Sequence, residues 1–128
     1  MARAIVLATI LIALPVVAGA DAAVLVGTWR GESLCTVKPS ACHDEIIVYH
    51  VAKTVRPDAV TVAASKVVAG KEVPMGVLDC AWDAPHQTLS CPNPRGTFVY
   101  HVEGREMRGA LTLTDGTLFR RISAHRVD

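Results

Sequence analysis

The chain has 128 residues, with thirteen Lys and Arg against twelve Asp and Glu. A balance this close to neutral gives no electrostatic case for nucleic acid or for an anionic membrane surface as partner. The length suits one domain preceded by a processing segment.

The first twenty residues read as a secretory signal peptide. Met1-Ala2-Arg3 is a short positive segment and Ala4 to Leu14 is an apolar run without charge. Pro15 breaks the run, and Ala18-Gly19-Ala20 is a small-residue cleavage site. The run is shorter than the roughly 20 apolar residues a membrane span requires, so no stable insertion is expected after cleavage. Cleavage after Ala20 is expected, with Ala22 as the alternative. The first cysteine is Cys35, so no lipid-modified cysteine stands at that site. The expectation is a secreted or periplasmic domain over 21–128.

Short β-branched runs then follow one another between turn signals, which is the pattern of an all-β domain. The runs are Val24 to Leu34, Glu45 to Ala52, Ala59 toward Val68, Val73 to Trp82, Thr88 to Cys91, Thr97 to Val102, Glu106 to Thr114 and Thr117 to Arg126. Ala59 to Val68 also satisfies a helical reading. About eight strands at a spacing of roughly 8–12 residues is the rhythm of a sandwich or barrel.

Four cysteines in a small exported chain imply two disulfides. Cys80 and Cys91 flank Pro85-His86 symmetrically, so a hairpin turn there sets Trp82 opposite Leu89 and Cys80 opposite Cys91. Facing cysteines in a non-hydrogen-bonded pair are close enough to bridge. Cys35 and Cys42 flank Lys38-Pro39 in the same way. The expected bridges are Cys35–Cys42 and Cys80–Cys91. Zinc is the alternative for four cysteines, but the chain has no C-x-x-C.

The last hairpins can be phased. Asp115-Gly116 is a strong turn signal and sets Leu113 opposite Leu118 and Leu111 opposite Arg120. Leu111, Leu113, Leu118 and Ile122 then face inward, with Phe119 on the outer face. A turn at Glu103-Gly104 sets Tyr100 opposite Met107 and Phe98 opposite Gly109. Phe98, Tyr100, Val102 and Met107 fall inside, and His101 lies outside against Glu106. The repeated Val-Tyr-His-Val at 48–51 and 99–102 therefore gives no Tyr-His site, because neighbours on a strand point to opposite faces. His43-Asp44-Glu45 lacks the helical spacing of a zinc protease and reads as a polar loop facing solvent.

Gly27-Thr28-Trp29 at the head of such a chain resembles the lipocalin-like (calycin) barrels. The resemblance implies an up-and-down antiparallel β-barrel of about eight strands whose first-strand Trp closes one end. It also implies a basic residue of the last strand over the indole. Arg120 and Arg126 share the inward phase; Arg126 is favoured by position and Arg120 by burial. The chain is shorter than a typical lipocalin, and in length it is more similar to avidin-like barrels or to the small periplasmic protease-inhibitor barrels.

The leading functional expectation is an exported binding module for a small apolar or amphipathic ligand. Trp82, Phe98, Tyr100, Met107 and Leu111 would face that ligand inside the barrel, at the end away from Trp29. Gly27, Trp29, Arg120 and Arg126 would form the closure. The alternative is a protein-binding barrel with a filled interior, such as a protease or lysozyme inhibitor, acting through Thr36 to Ser40, Pro85-His86-Gln87 and Pro92 to Arg95. No nucleophile–base pair, Gly-rich phosphate loop or G-x-S-x-G is present, so no catalytic residue, metal or cofactor is expected.

Overall fold

A computed structural model of the chain describes residues 1, 4–5, 8–13 and 21–128. The expected cleavage site at 18–20 lies outside the described residues. From Asp21 the chain makes a short 3-10 helix, Ala22–Leu25, and then eight strands. These are β1 (Gly27–Cys35), β2 (Glu45–Lys53), β3 (Ala59–Val68), β4 (Lys71–Asp83), β5 (Thr88–Asn93), β6 (Gly96–Glu103), β7 (Glu106–Leu113) and β8 (Leu118–Arg126). Each pairs antiparallel with the next and β8 returns to β1, giving a closed up-and-down barrel.

Period-two alternation drives the fold. Along β8, Ile122 and Ala124 are buried while Arg121, Ser123 and His125 are exposed. Along β6, Tyr100 and Val102 are buried while His101 and Glu103 are exposed. Ala59–Val68 is strand throughout, burying Val60 and Val62 against the core, so β-branching prevails over the helical reading. Both expected disulfides are present, Cys35–Cys42 with Cα atoms 6.0 Å apart and Cys80–Cys91 at 4.3 Å. Two disulfides are compatible with an extracellular or periplasmic protein.

Two registers differ from expectation. In the β6–β7 hairpin Tyr100 lies opposite Gly109 and Val102 opposite Met107. Gly104, at φ 56°, opens the turn and leaves Glu103 in the strand opposite Glu106. The slip is even, so the inward set of side chains is unchanged. In the β7–β8 hairpin Leu111 does face Arg120, but Leu118 faces Thr112 rather than Leu113. The ladder shifts between Leu111 and Thr112, leaving Phe119 as an extra residue in β8. A bulge of this kind re-aims its side chain, and Phe119 turns toward the interior instead of solvent.

The barrel wall is uneven. β3 and β4 pair from Ala59↔Ala81 to Val68↔Lys71. β4 and β5 pair only over Ala81↔Ser90, Trp82↔Leu89 and Asp83↔Thr88, with the Cys80–Cys91 bridge just beyond. Lys71 to Val77 are exposed at every position, so the β3–β4 hairpin projects past the rest of the wall.

Candidate functional site

The two ends of the barrel differ. At one end Trp29 is fully buried and its indole N–H donates to Leu25 O at 3.0 Å. The Ala22–Leu25 helix lies across this end, with Asp21 accepting from Ala23 N–H at 2.7 Å and Ala22 N–H donating to Pro57 O at 2.7 Å. Arg126 sits opposite Trp29 in the β1–β8 ladder, and its Cζ lies 4.9 Å from the indole centre. Its guanidinium donates to the carbonyls of Val26 and Val24. Gly27 adopts φ 145°, and a Cβ there would stand 2.6 Å from Asp128 Oδ1. That Asp128 carboxylate instead accepts the Thr28 N–H at 2.9 Å, which holds its pKa below the usual carboxylate range.

Arg126 therefore covers the Trp, and Arg120 does not share in the closure. Arg120 faces Cys35, at the far end of β1. Both arginines have the inward phase, but they differ by almost the length of the strand. Position along the strand, not phase, separates their roles.

The other end opens into a cavity of about 450 Å³. Ile47, Tyr49, Ala64, Leu78, Phe98 and Leu111 form its apolar wall, and Met75, Gly76 and Val77 of β4 form one rim. Ser33, Glu45, Asn93, Arg95 and Arg120 supply the polar groups. A pocket of several hundred cubic ångström with an apolar lining and a few convergent polar groups has the dimensions of a small-molecule site. Of the residues expected inside the barrel facing a ligand, Phe98 and Leu111 line this cavity.

Trp82, Tyr100 and Met107 do not. Met107 is buried in the core toward the Trp29 end. Trp82 lies near the end of β4, half-buried against the core, and its buried indole N–H has no partner among the described residues. Tyr100 lies under Phe98, the two rings stacked at 6.0 Å between centroids. Its hydroxyl meets that of Tyr49 at 3.0 Å, so the repeated Tyr-His pairs bring their tyrosines together inside and leave their histidines in water. Burial pushes the Tyr49 hydroxyl up to about 12 and the Tyr100 hydroxyl well above its ordinary value. Tyr49 therefore presents a neutral hydroxyl at the cavity floor at physiological pH, hydrogen-bonded to Tyr100 beneath it.

The mouth is cationic. The Phe119 ring has Arg95 Cζ at 5.7 Å and Arg120 Cζ at 5.9 Å from its centroid. Arg120 Nη1 donates to Ser33 Oγ at 3.2 Å and to His43 O at 3.1 Å, and stands 3.8 Å from Glu45 Oε2. Those contacts fix the guanidinium plane while Nη2 and Nε make no hydrogen bond among the described residues. Arg95 has neither an ion pair nor a side-chain hydrogen bond among the described residues, and its head is exposed. Glu45 is thus a wall residue, not the surface group its loop neighbourhood suggested. Asp44 beside it accepts the Cys35 N–H at 2.8 Å.

The sequence reading missed Arg95, Phe119, Arg120 and Glu45 as cavity residues. Arg120 was visible by phase; Phe119 was hidden by the bulge and Arg95 by its place in a turn. Among the described residues no group of three or more His, Cys, Asp or Glu is placed to hold a metal. No family model matches the chain, and no curated protein matches its sequence.

Proposed function

We propose that this protein is an exported calycin-like carrier for a small amphipathic molecule with an anionic head. The observation that carries this reading is the half-open cavity of about 450 Å³ with an apolar wall and two guanidiniums flanking Phe119 at its mouth. An apolar tail would replace water against Ile47, Leu78, Phe98 and Leu111, gaining about 25 cal/mol per Å² buried. An acidic head would take the free N–H groups of Arg95 and Arg120, for which the planar guanidinium is suited. Glu45 leaves one net positive charge among these three groups, so an anion is favoured over a cation. The leader-like sequence and the two disulfides support export. The protein-binding alternative expects a filled interior, and the cavity weighs against it.

Displacement of a fluorescent fatty-acid probe tests the proposal. Dodecanoate should displace it most strongly, dodecanol less, and dodecyltrimethylammonium least. No saturable binding of the probe would overturn the reading, and a pull-down from exported proteins would then test the loop-mediated alternative.

A further inference from the structure

The short β4–β5 ladder leaves a slit in the wall, and prolines account for it. Trp82 N–H donates to Asp58 O at 2.8 Å, so even-numbered residues at this end of β4 face β3 and odd-numbered ones face β5. Val102 N–H donates to Gln87 O at 2.9 Å, so odd-numbered residues of β5 face β6 and even-numbered ones face β4. Pro92 therefore presents its nitrogen to β4, where the next ladder bond would have to form. Across the slit, the register shift between Ala64 and Ser65 inverts the phase of β4. Asp58 O faces β4, so Ser65 faces away from it, and Pro74 opposite Ser65 turns its nitrogen into the slit.

Pro92 and Pro74 thus each lack the N–H that would otherwise face this opening. Each missing donor weakens pairing across the opening and with an added strand from a partner. A hydrocarbon chain makes no such demand on the edge. The slit is continuous with the cavity, because Met75, Gly76, Val77 and Asn93 line both. Val77 is 67% exposed and Met75 46% exposed, so the opening has apolar lips.

We propose that the slit is a tail subsite, through which linear chains too long for the cavity pass out between β4 and β5. This rests on the reading of the cavity as an amphiphile site and adds a substrate class to it, long unbranched acids without an upper length limit set by cavity volume. With the head at Arg95 and Arg120, the tail crosses the cavity and leaves past Met75 and Val77.

The test is a series of straight-chain acids from octanoate to octadecanoate, measured by probe displacement on the disulfide-intact protein. Affinity should rise with chain length and not fall at octadecanoate. Val77→Trp should obstruct the slit and weaken octadecanoate by at least about tenfold more than it weakens octanoate. Should that variant fold poorly, the wild type still decides the matter by another signal. Stearate with a nitroxide near its methyl end should broaden the amide resonances of Gly76 and Val77 and spare those of Trp29. A wild-type affinity that collapses beyond dodecanoate, or a nitroxide that broadens Trp29 instead, overturns the slit as a tail subsite and leaves the cavity reading intact. Binding of no acid at any length overturns both.

Discussion

The two ends of this barrel use the same pair of residue types to opposite effect. At the sealed end Arg126 lies over Trp29 and donates to two backbone carbonyls. The carboxylate of Asp128 and the guanidinium of Arg105 close the surrounding backbone groups. At the open end Arg95 and Arg120 lie against Phe119, but much of their donor capacity stays unclaimed by the protein. A cation on an aromatic ring is a structural element when its guanidinium is engaged by backbone carbonyls, as at Arg126, where only the buried Nε lacks a partner among the described residues. It is a ligand-facing one when its donors stay open at a cavity mouth. Stability should therefore concentrate at the Trp29 end and affinity at the other.

The sharpest way to break this comparison is Trp29→Ala. It should destabilise the domain by about 3–5 kcal/mol in urea unfolding, since it empties a fully buried site and removes the surface on which Arg126 rests. A variant with unchanged midpoint would mean that this end is not the seal.

Alkaline titration probes the cavity floor. The Tyr49 hydroxyl is raised from 10.0 to about 12 by burial, so the folded state keeps a proton that the unfolded chain releases from about pH 10. Stability is then fully present below pH 10 and is lost as pH rises through 12, by on the order of 2–3 kcal/mol. Chemical denaturation across that range should show the fall, and Tyr49→Phe should reduce it to the part that the buried Tyr100 hydroxyl carries.

Arg126→Leu and Arg95→Gln separate the two ends most directly. The first should cost about 2 kcal/mol of stability, because two backbone carbonyls lose a charged donor and the indole loses its cation. The second should leave stability within about 0.5 kcal/mol and lower the affinity for dodecanoate about tenfold. Unfolding and probe displacement on both variants give the contrast; matching effects in the two assays would erase it. The smallest effect is expected at Asp128. Its carboxyl is held low by the Thr28 N–H, so its contribution is present above the usual carboxylate range and fades as pH falls through it. Asp128→Asn should remove that acid dependence while leaving neutral-pH behaviour nearly unchanged.

Much of the architecture was legible because it rests on local rules. Alternation along β6 and β8 fixed the inward faces, and the symmetric flanks of Pro85-His86 gave the Cys80–Cys91 bridge. The turn expected at Glu103-Gly104 lies one residue later and slips the register by two, because Gly104 is the first turn residue, a choice that depends on backbone angle. The site was less legible. Phe98 and Leu111 follow from phase alone, but Tyr100 and Met107 share that phase and are covered by neighbours. Depth along the barrel decides this, and depth depends on how strands stagger. Phe119 required knowledge of a bulge, which answers to closure of the whole ring.

The Cys80–Cys91 bridge has a mechanical meaning as well. A hoop with a notch in it fails by extension of the notch, and the bridge stands at the root of the β4–β5 slit, where such an extension would start. It acts as a crack arrester, confining the opening to the upper wall and shielding the short ladder at Ala81 to Asp83 from peeling. With both cysteines replaced by alanine, hydrogen exchange should quicken first at Ala81 and Asp83 and last at the Trp29 seam.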